Sequence, residues 1–297
     1  MRPKILIIGK NGQVGWELQR SMALCGDVTA LGREQANLLD TQPLLAWIQQ
    51  HRPDIIVNAA AYTAVDKAET EEALATQING IAVGEIAAAA REVGALFIHY
   101  STDYVFDGSK TGAYLETDVP CPLSVYGRSK LAGEQAIQAA GGDYLILRTT
   151  WVYAARGQNF MKTMLRVAKE RDTLRIVGDQ VGAPTWARFI AEATADMAVQ
   201  ALAKRQLAQF TSGIYNLSAA GETSWHGFAS LIIDYAKQHD SLIKTNEIFA
   251  IPTHEYPLPA QRPLNSRLSG EKLQRDYGMV MPAWDVAAKL CLAECLN

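Results

Sequence analysis

Short apolar runs alternate with longer helix-patterned stretches through the first half of this chain, and that alternation limits what it can fold into. Lys4–Gly9 is almost continuously apolar, as expected of a strand buried on both faces. A helix over Val14–Leu24 follows, then a strand over Asp27–Gly32, a helix over Leu44–Gln50 and a strand over Asp54–Ala60. The pattern continues with a long alanine-rich helix over Thr70–Val93, stopped by Gly94, and a strand over Ala95–Thr102. A helix over Ser124–Ala140, ended by Gly141 and Gly142, leads to a fifth strand over Tyr144–Tyr153. Strands separated by whole helices pair in parallel, because each crossover carries a helix. The expected fold is α/β. A doubly wound parallel sheet occupies residues 1–153 with later returns of the chain, and a smaller α/β lobe is built mainly from 154–297.

The second half is less regular. Helices are expected over Asn159–Glu170, Thr185–Ala203, Ser224–Gln238 and Ser269–Tyr277, and after Trp284. Short strands are expected over Leu174–Gly178 and Gly213–Leu217, and Pro252, Pro257, Pro259, Pro263 and Pro282 interrupt the rest. A net charge of −3 and a pI near 6.0 leave no basic footprint for nucleic acid or an anionic membrane. No stretch is read as reaching the roughly 20 apolar residues of a membrane span. Cys25, Cys121, Cys291 and Cys295 form no CxxC pair and have no zinc-type histidine spacing, which points to reduced thiols in a cytoplasmic protein and to no metal site.

Gly9-Lys10-Asn11-Gly12-Gln13-Val14-Gly15 joins the first strand to the first helix and reads GxxGxxG. Glycines allow a tight turn and a close approach of backbone to a pyrophosphate, and the helix N-terminus offers free N–H groups and partial positive charge. In this strand–turn–helix setting the motif marks a Rossmann-type dinucleotide site. An acid at the end of the second strand would hold the ribose 2′-hydroxyl of NAD, whereas a base favours the 2′-phosphate of NADP. This chain reads Gly32-Arg33-Glu34 there, so Arg33 favours NADPH, with NADH as the alternative.

Tyr126-Gly127-Arg128-Ser129-Lys130 is YxxxK, which sets a phenol and an ammonium on one helix face. Lys130 is expected to lower the pKa of Tyr126, making it a general acid towards a carbonyl oxygen. Thr102 ends the fourth strand, where ligands of parallel sheets sit, and can donate a hydrogen bond to a substrate oxygen. Asn79, in the long helix, is read as a buried polar contact outside the catalytic set.

Glycine turn, strand-end Thr and YxxxK together resemble the extended short-chain dehydrogenases/reductases. Narrower blocks are similar to those of the dTDP-4-dehydrorhamnose reductases: Val57–Glu69 (VNAAAYTAVDKAE), Ser101–Gly108 (STDYVFDG), Pro122–Glu134 (PLSVYGRSKLAGE), Arg148–Tyr153 (RTTWVY), Asp179–Thr185 (DQVGAPT) and Arg262–Leu268 (RPLNSRL). The resemblance implies reduction of the C4 keto group of dTDP-6-deoxy-L-lyxo-4-hexulose, giving dTDP-L-rhamnose. It implies that Gly9, Gly12, Gln13, Val14, Ala61, Tyr62, Thr63, Tyr100, Tyr126 and Lys130 contact the nicotinamide cofactor, with Asn37 and Leu38 near its adenine. It also implies that Thr102, Asp103, Tyr126 and Trp151 contact the sugar.

Two other readings fit the same fold. An epimerase or dehydratase shares the Tyr/Lys pair, although the acidic pair of a dehydratase is missing beside Thr102. A non-catalytic regulatory relative, such as those serving methionine adenosyltransferase, is the other. Some relatives hold Mg²⁺ between subunits through glutamates. Hydride transfer with a tyrosine acid is expected to need no metal; Glu17 matches one of these glutamates, but Arg188 stands where an acid is expected, which disfavours Mg²⁺ and puts a homodimer through that site in doubt.

Overall fold

The computed structural model describes residues 2–296. Its chain order is β1 Lys4–Ile8, α1 Gln13–Ser21, β2 Asp27–Leu31, α2 Gln42–His51, β3 Ile55–Asn58, α3 Val65–Ala68, α4 Glu72–Thr76 and α5 Ala82–Val93. Then come β4 Leu96–Thr102, α6 Val125–Ala140, β5 Tyr144–Thr149, β6 Val152–Tyr153, α7 Phe160–Glu170, β7 Thr173–Val177, β8 Val181–Gly182 and β9 Thr185–Trp186. The chain closes with α8 Ala187–Gln206, β10 Gly213–Asn216, β11 Thr223–Ser224, α9 Trp225–His239, β12 Glu247–Ile251, α10 Glu271–Tyr277 and α11 Trp284–Leu296.

Six strands form one sheet in the order β10-β5-β4-β3-β1-β2, and every pairing in it is parallel. The order reverses between β1 and β3, which opens a crevice at their carboxyl ends. On one face Ile5, Ile7, Val57 and Ile98 pack with Leu18 of α1 and with Ile190 and Met197 of α8. On the other, Leu6, Ile8, Ile56 and Phe97 pack with Ile48 of α2, Ile86 of α5 and Ile137 of α6. The sheet is thus α/β and doubly wound. Two elements from the second half, α8 and β10, complete it. The other lobe packs α7, α9 and α11 around Tyr153, Met161, Phe228 and Leu292.

Local departures from the sequence reading have physical causes. The fifth strand does not run unbroken to Tyr153. It stops at Thr149, and Trp151 takes a left-handed φ of 46°, after which Val152 and Tyr153 pair with Thr185 and Trp186 instead. That pairing also delays the helix expected from Thr185 until Ala187. The long helix is interrupted by a π-turn over Gln77–Ile81, and Glu72–Val93 does contain a stretch apolar enough to span a membrane, half of it buried in this fold. Strand β12, not foreseen, pairs with β7 in a two-stranded sheet and keeps most of its side chains outside the core, so its sequence lacks a buried-strand pattern.

Arg188 joins Glu17 of α1 to Glu294 of α11, with its Nε 3.2 Å from Glu17 Oε2. Both carboxylates therefore already face a guanidinium. A second ion pair is deeper: Arg148 of β5 donates from Nε and Nη2 to the two carboxylate oxygens of Glu134 of α6, at 2.9 and 2.6 Å, with both side chains 2% exposed. Removing one partner strands the other charge in the core, so Arg148→Met should destabilise the fold by about 3–5 kcal/mol. Urea unfolding would measure this; a loss under about 1 kcal/mol would put the pair in the class of surface contacts.

Candidate active site

The crevice begins at the glycine turn. Gly9 has φ +91°, and a Cβ there would lie 2.7 Å from Ala60 N, so the backbones at the ends of β1 and β3 touch. A Cβ on Gly15 would meet Gly9 O at 2.1 Å, which presses α1 onto the turn. Gly12 is the N-cap of α1 with no side-chain cap bond, leaving the first-turn N–H groups to an anion. Val14 is half-buried against the core, and the Gln13 side chain is held by Asn159 Nδ2 at 2.9 Å. These features fit a dinucleotide pyrophosphate.

Arg33 is exposed just after β2 and has no ion pair or hydrogen bond among the described residues, whereas its neighbour Glu34 is engaged by Lys10 Nζ at 3.1 Å. The adjacent carboxylate is thus turned to Lys10 and away from Arg33. Asn37 is exposed and accepts from Leu39 N, while Leu38 is buried in the core beside α2. Ala61, Tyr62 and Thr63 form the loop after β3. Asn79 at the π-turn fixes that loop by accepting from Tyr62 N at 2.8 Å and donating to Tyr62 O at 3.0 Å. It also donates to Ser129 Oγ, so the residue read as a plain buried contact ties the loop to the YxxxK helix. The Tyr62 hydroxyl donates to Glu71, which pushes its pKa up to about 12.

Helix α6 starts under tight control. Ser124 Oγ accepts from Gly127 N and Glu69 Oε1 accepts from Val125 N. A Cβ on Gly127 would lie 2.2 Å from Tyr104 O, so only glycine lets the helix sit this close to the end of β4. Tyr126 is half-buried with its ring edge-on to Tyr104 at 5.5 Å. Burial pushes its phenol up to about 12; the Asp103 charge adds to this and the Thr102 hydroxyl opposes it. The net direction is therefore upward and set by desolvation, whereas the expected effect of Lys130 is downward. Lys130 is itself buried and pushed down to about 8. It donates to Tyr100 O at 2.6 Å and lies 3.0 Å from His99 Nε2. The side chain of Tyr100 points away from that cluster, its hydroxyl bonded to Thr194 of α8, so only its carbonyl faces Lys130.

Thr102 is buried at the end of β4, donates to Asp103 Oδ1 at 3.0 Å and accepts from Tyr104 N. Asp103 is buried with Oδ2 unpartnered, and burial pushes its carboxyl up to about 6. An unpartnered carboxylate oxygen beside a threonine and a tyrosine suits a hydroxyl-rich ligand. Trp151 stacks on Trp225 of the second lobe, ring centroids 3.7 Å apart at 12°. Beyond Trp225 lies a cavity of about 1330 Å³ whose walls include Phe160, Gln180, Tyr256 and Arg262. Arg262 binds Asp66 at 2.9 Å, and Val181 and Ser266 exchange backbone bonds with the opposite segment, so the later motif blocks brace the wall of the crevice. Among the described residues no group of three or more His, Cys, Asp or Glu side chains is placed to hold a metal.

Comparison with known proteins agrees with this geometry. The family described as RmlD substrate binding domain matches residues 2–297. A dTDP-4-dehydrorhamnose reductase of Burkholderia thailandensis is 52% identical over 99% of both chains, and one of Salmonella typhimurium is 48% identical over 98% of this chain and 97% of its own. The crystal structure of a dTDP-4-dehydrorhamnose reductase from Bacillus anthracis in complex with NADP superposes with a TM-score of 0.87 at 34% identity, covering 99% of this chain and 100% of the other.

Proposed function

Since this chain belongs to the family described as RmlD substrate binding domain, we propose that Thr102, Tyr126 and Lys130 are the catalytic set of a sugar-nucleotide reductase. The protein is an NAD(P)H-dependent oxidoreductase that reduces the C4 keto group of dTDP-6-deoxy-L-lyxo-4-hexulose to give dTDP-L-rhamnose. The observation that carries this is end-to-end identity of 52% with a reductase, in a chain whose Tyr126 and Lys130 lie beside the end of β4. That identity favours the reductase over an epimerase, a dehydratase or a regulatory relative.

When bound, the reduced nicotinamide supplies the hydride. The backbone of the Gly9–Gly15 turn and the start of α1 would hold its pyrophosphate, and Arg33 the adenosine ribose and its 2′-phosphate. Ala61, Tyr62 and Thr63, fixed through Asn79, would line its path to Lys130. Tyr126 donates its proton to the sugar O4, and Thr102 and Asp103 orient the sugar. A phenol kept protonated by burial remains a donor throughout the neutral range, which suits an acid in a reduction. Trp151, held by its stack on Trp225, would lie against the sugar. The cavity beyond Trp225 is continuous with this stack and has room for the nucleotide end of the substrate.

Three measurements test these roles. Tyr126→Phe keeps the ring but removes the proton, so turnover should fall by about 10²–10⁴ while cofactor affinity is unchanged; near wild-type turnover would exclude Tyr126 as the acid. Arg33→Ala should lower kcat/KM for NADPH several-fold, on the order of a 1 kcal/mol exposed contact, and leave NADH alone; equal losses with both cofactors would remove Arg33 from the phosphate site. Trp151→Ala should cost about 1–3 kcal/mol of transition-state stabilisation for the keto sugar without weakening NADPH binding. Its stability should drop only by about 0.5–1.5 kcal/mol, the worth of the Trp225 stack. A variant that melts early and loses both ligands together would make Trp151 structural.

A further inference from the structure

A chain of three buried polar side chains runs behind Tyr126. Lys130 Nζ lies 3.0 Å from His99 Nε2, and on the other side of the ring His99 Nδ1 lies 3.2 Å from Asn58 Nδ2. None of the three side chains is more than 2% exposed, so bulk water does not repair a mismatch among them.

The direction of this chain is set at its far end. Ala60 N is 3.1 Å from Asn58 Oδ1. A backbone N–H only donates, so the amide oxygen must face Ala60 and the amide nitrogen must face the imidazole. Asn58 Nδ2 donates, so His99 Nδ1 accepts. Burial, with Lys130 beside it, holds His99 well below the usual histidine range, so the ring is neutral and carries its proton on Nε2. That N–H points at Lys130 Nζ, and only a lone pair can receive it. An amine has one; an ammonium has none. As an amine, Lys130 accepts from His99, donates to Tyr100 O and keeps a second hydrogen for the site. As an ammonium, it drives His99 to the other tautomer and sets Nδ1–H against the Asn58 amide hydrogens.

We propose that His99, oriented by Asn58, is a positioning residue that holds Lys130 and favours its amine over its ammonium. The proposal rests on the reading of Tyr126 as proton donor with Lys130 as its partner. The titratable and charged groups around the cluster are Tyr126 and Glu134 on α6, His99 and Asp103 on the β4 side, and Arg148 of β5, which is bound to Glu134. Burial acts in the same direction as His99, and Glu134 opposes it. The ammonium stabilises the phenolate that forms as Tyr126 gives up its proton. Activity is therefore present below the Lys130 midpoint and lost as pH rises through it.

Asn58→Asp tests the wiring with almost no change of shape. The carboxylate still accepts from Ala60 N–H but also accepts from His99 Nδ1–H, which turns Nε2 into an acceptor for the ammonium. The alkaline limb of the kcat/KM profile should move up by about one pH unit. His99→Gln offers Lys130 a carbonyl and should move the limb the same way. In the wild-type enzyme, imidazole ¹⁵N spectra taken above the Lys130 midpoint, where the lysine is the amine, should show an Nε2–H tautomer at the signal that His99→Gln removes, and Asn58→Asp should convert it to Nδ1–H. An Nδ1–H tautomer in the wild type above that midpoint, or an unmoved limb in both folded variants, overturns the proposal. If both variants unfold, the wild-type spectrum alone decides. If Tyr126→Phe keeps full turnover, the donor reading fails, while the His99 tautomer still reports on the wiring.

Discussion

The bidentate pair between Arg148 and Glu134 is the contact on which the placement of the chemistry depends. Two charges lie out of water at 2% exposure and are matched by two parallel hydrogen bonds, the geometry in which such a pair is worth its desolvation. Arg148 also lies 5.0 Å over the ring of Phe106, which follows the end of β4. The pair thus bolts α6 to β5 across β4. Glu134 stands one helical turn after Lys130 and two after Tyr126, so the bolt fixes the rotation of the helix that presents both. The same carboxylate raises the proton affinity of Lys130, so one group acts on both the position and the charge of the lysine.

The parallel sheet was legible because its central strands β1, β3, β4 and β5 are buried on both faces and must be largely apolar. The first four strands and helices α1, α2 and α6 lie where periodicity and punctuation put them. Helices α7, α9 and α10 and strands β7 and β10 also lie within two residues of their expected bounds; the reading failed where a residue answers to a neighbour remote in sequence. Nothing around Thr150 or Trp151 announces a break, because the break exists to let Val152 and Tyr153 reach Thr185 and Trp186. Strand β12 is held by β7 rather than by core burial, so Glu247–Ile251 carries no strand signature. The π-turn at Asn79 is likewise hidden, since its reason is the pair of bonds to Tyr62 in the loop after β3.

At the site, residue types could be read but not their orientations. YxxxK and the strand-end threonine name the candidate groups, but the sequence cannot say that burial pushes the phenol up, nor that Tyr100 turns its hydroxyl to Thr194. His99 and Asn58 belong to no spacing rule, being forty-one residues apart. They become neighbours through the register of β3 against β4, which pairs Asn58 directly with His99. Only the expectation that these strands are adjacent, combined with two polar residues in otherwise apolar runs, could have singled them out.

The costs in this structure collect at one end of the sheet. The left-handed Trp151, the unpartnered Asp103 Oδ2 and the dehydrated Lys130 and His99 all lie at or near the carboxyl ends of β4 and β5. Each opposes folding: a bulky residue at positive φ, an oxygen without a donor, amines and imidazoles without water. A core selected for stability alone would replace them with apolar side chains, as it does in the body of the same strands at Leu96, Ile98, Leu145 and Leu147. The division runs within single strands, so the apolar body of each supplies the rigidity that holds its polar end in an arrangement it would not adopt alone. The asymmetry along β4, from Leu96 to Thr102, is therefore a physical mark of the proposed site.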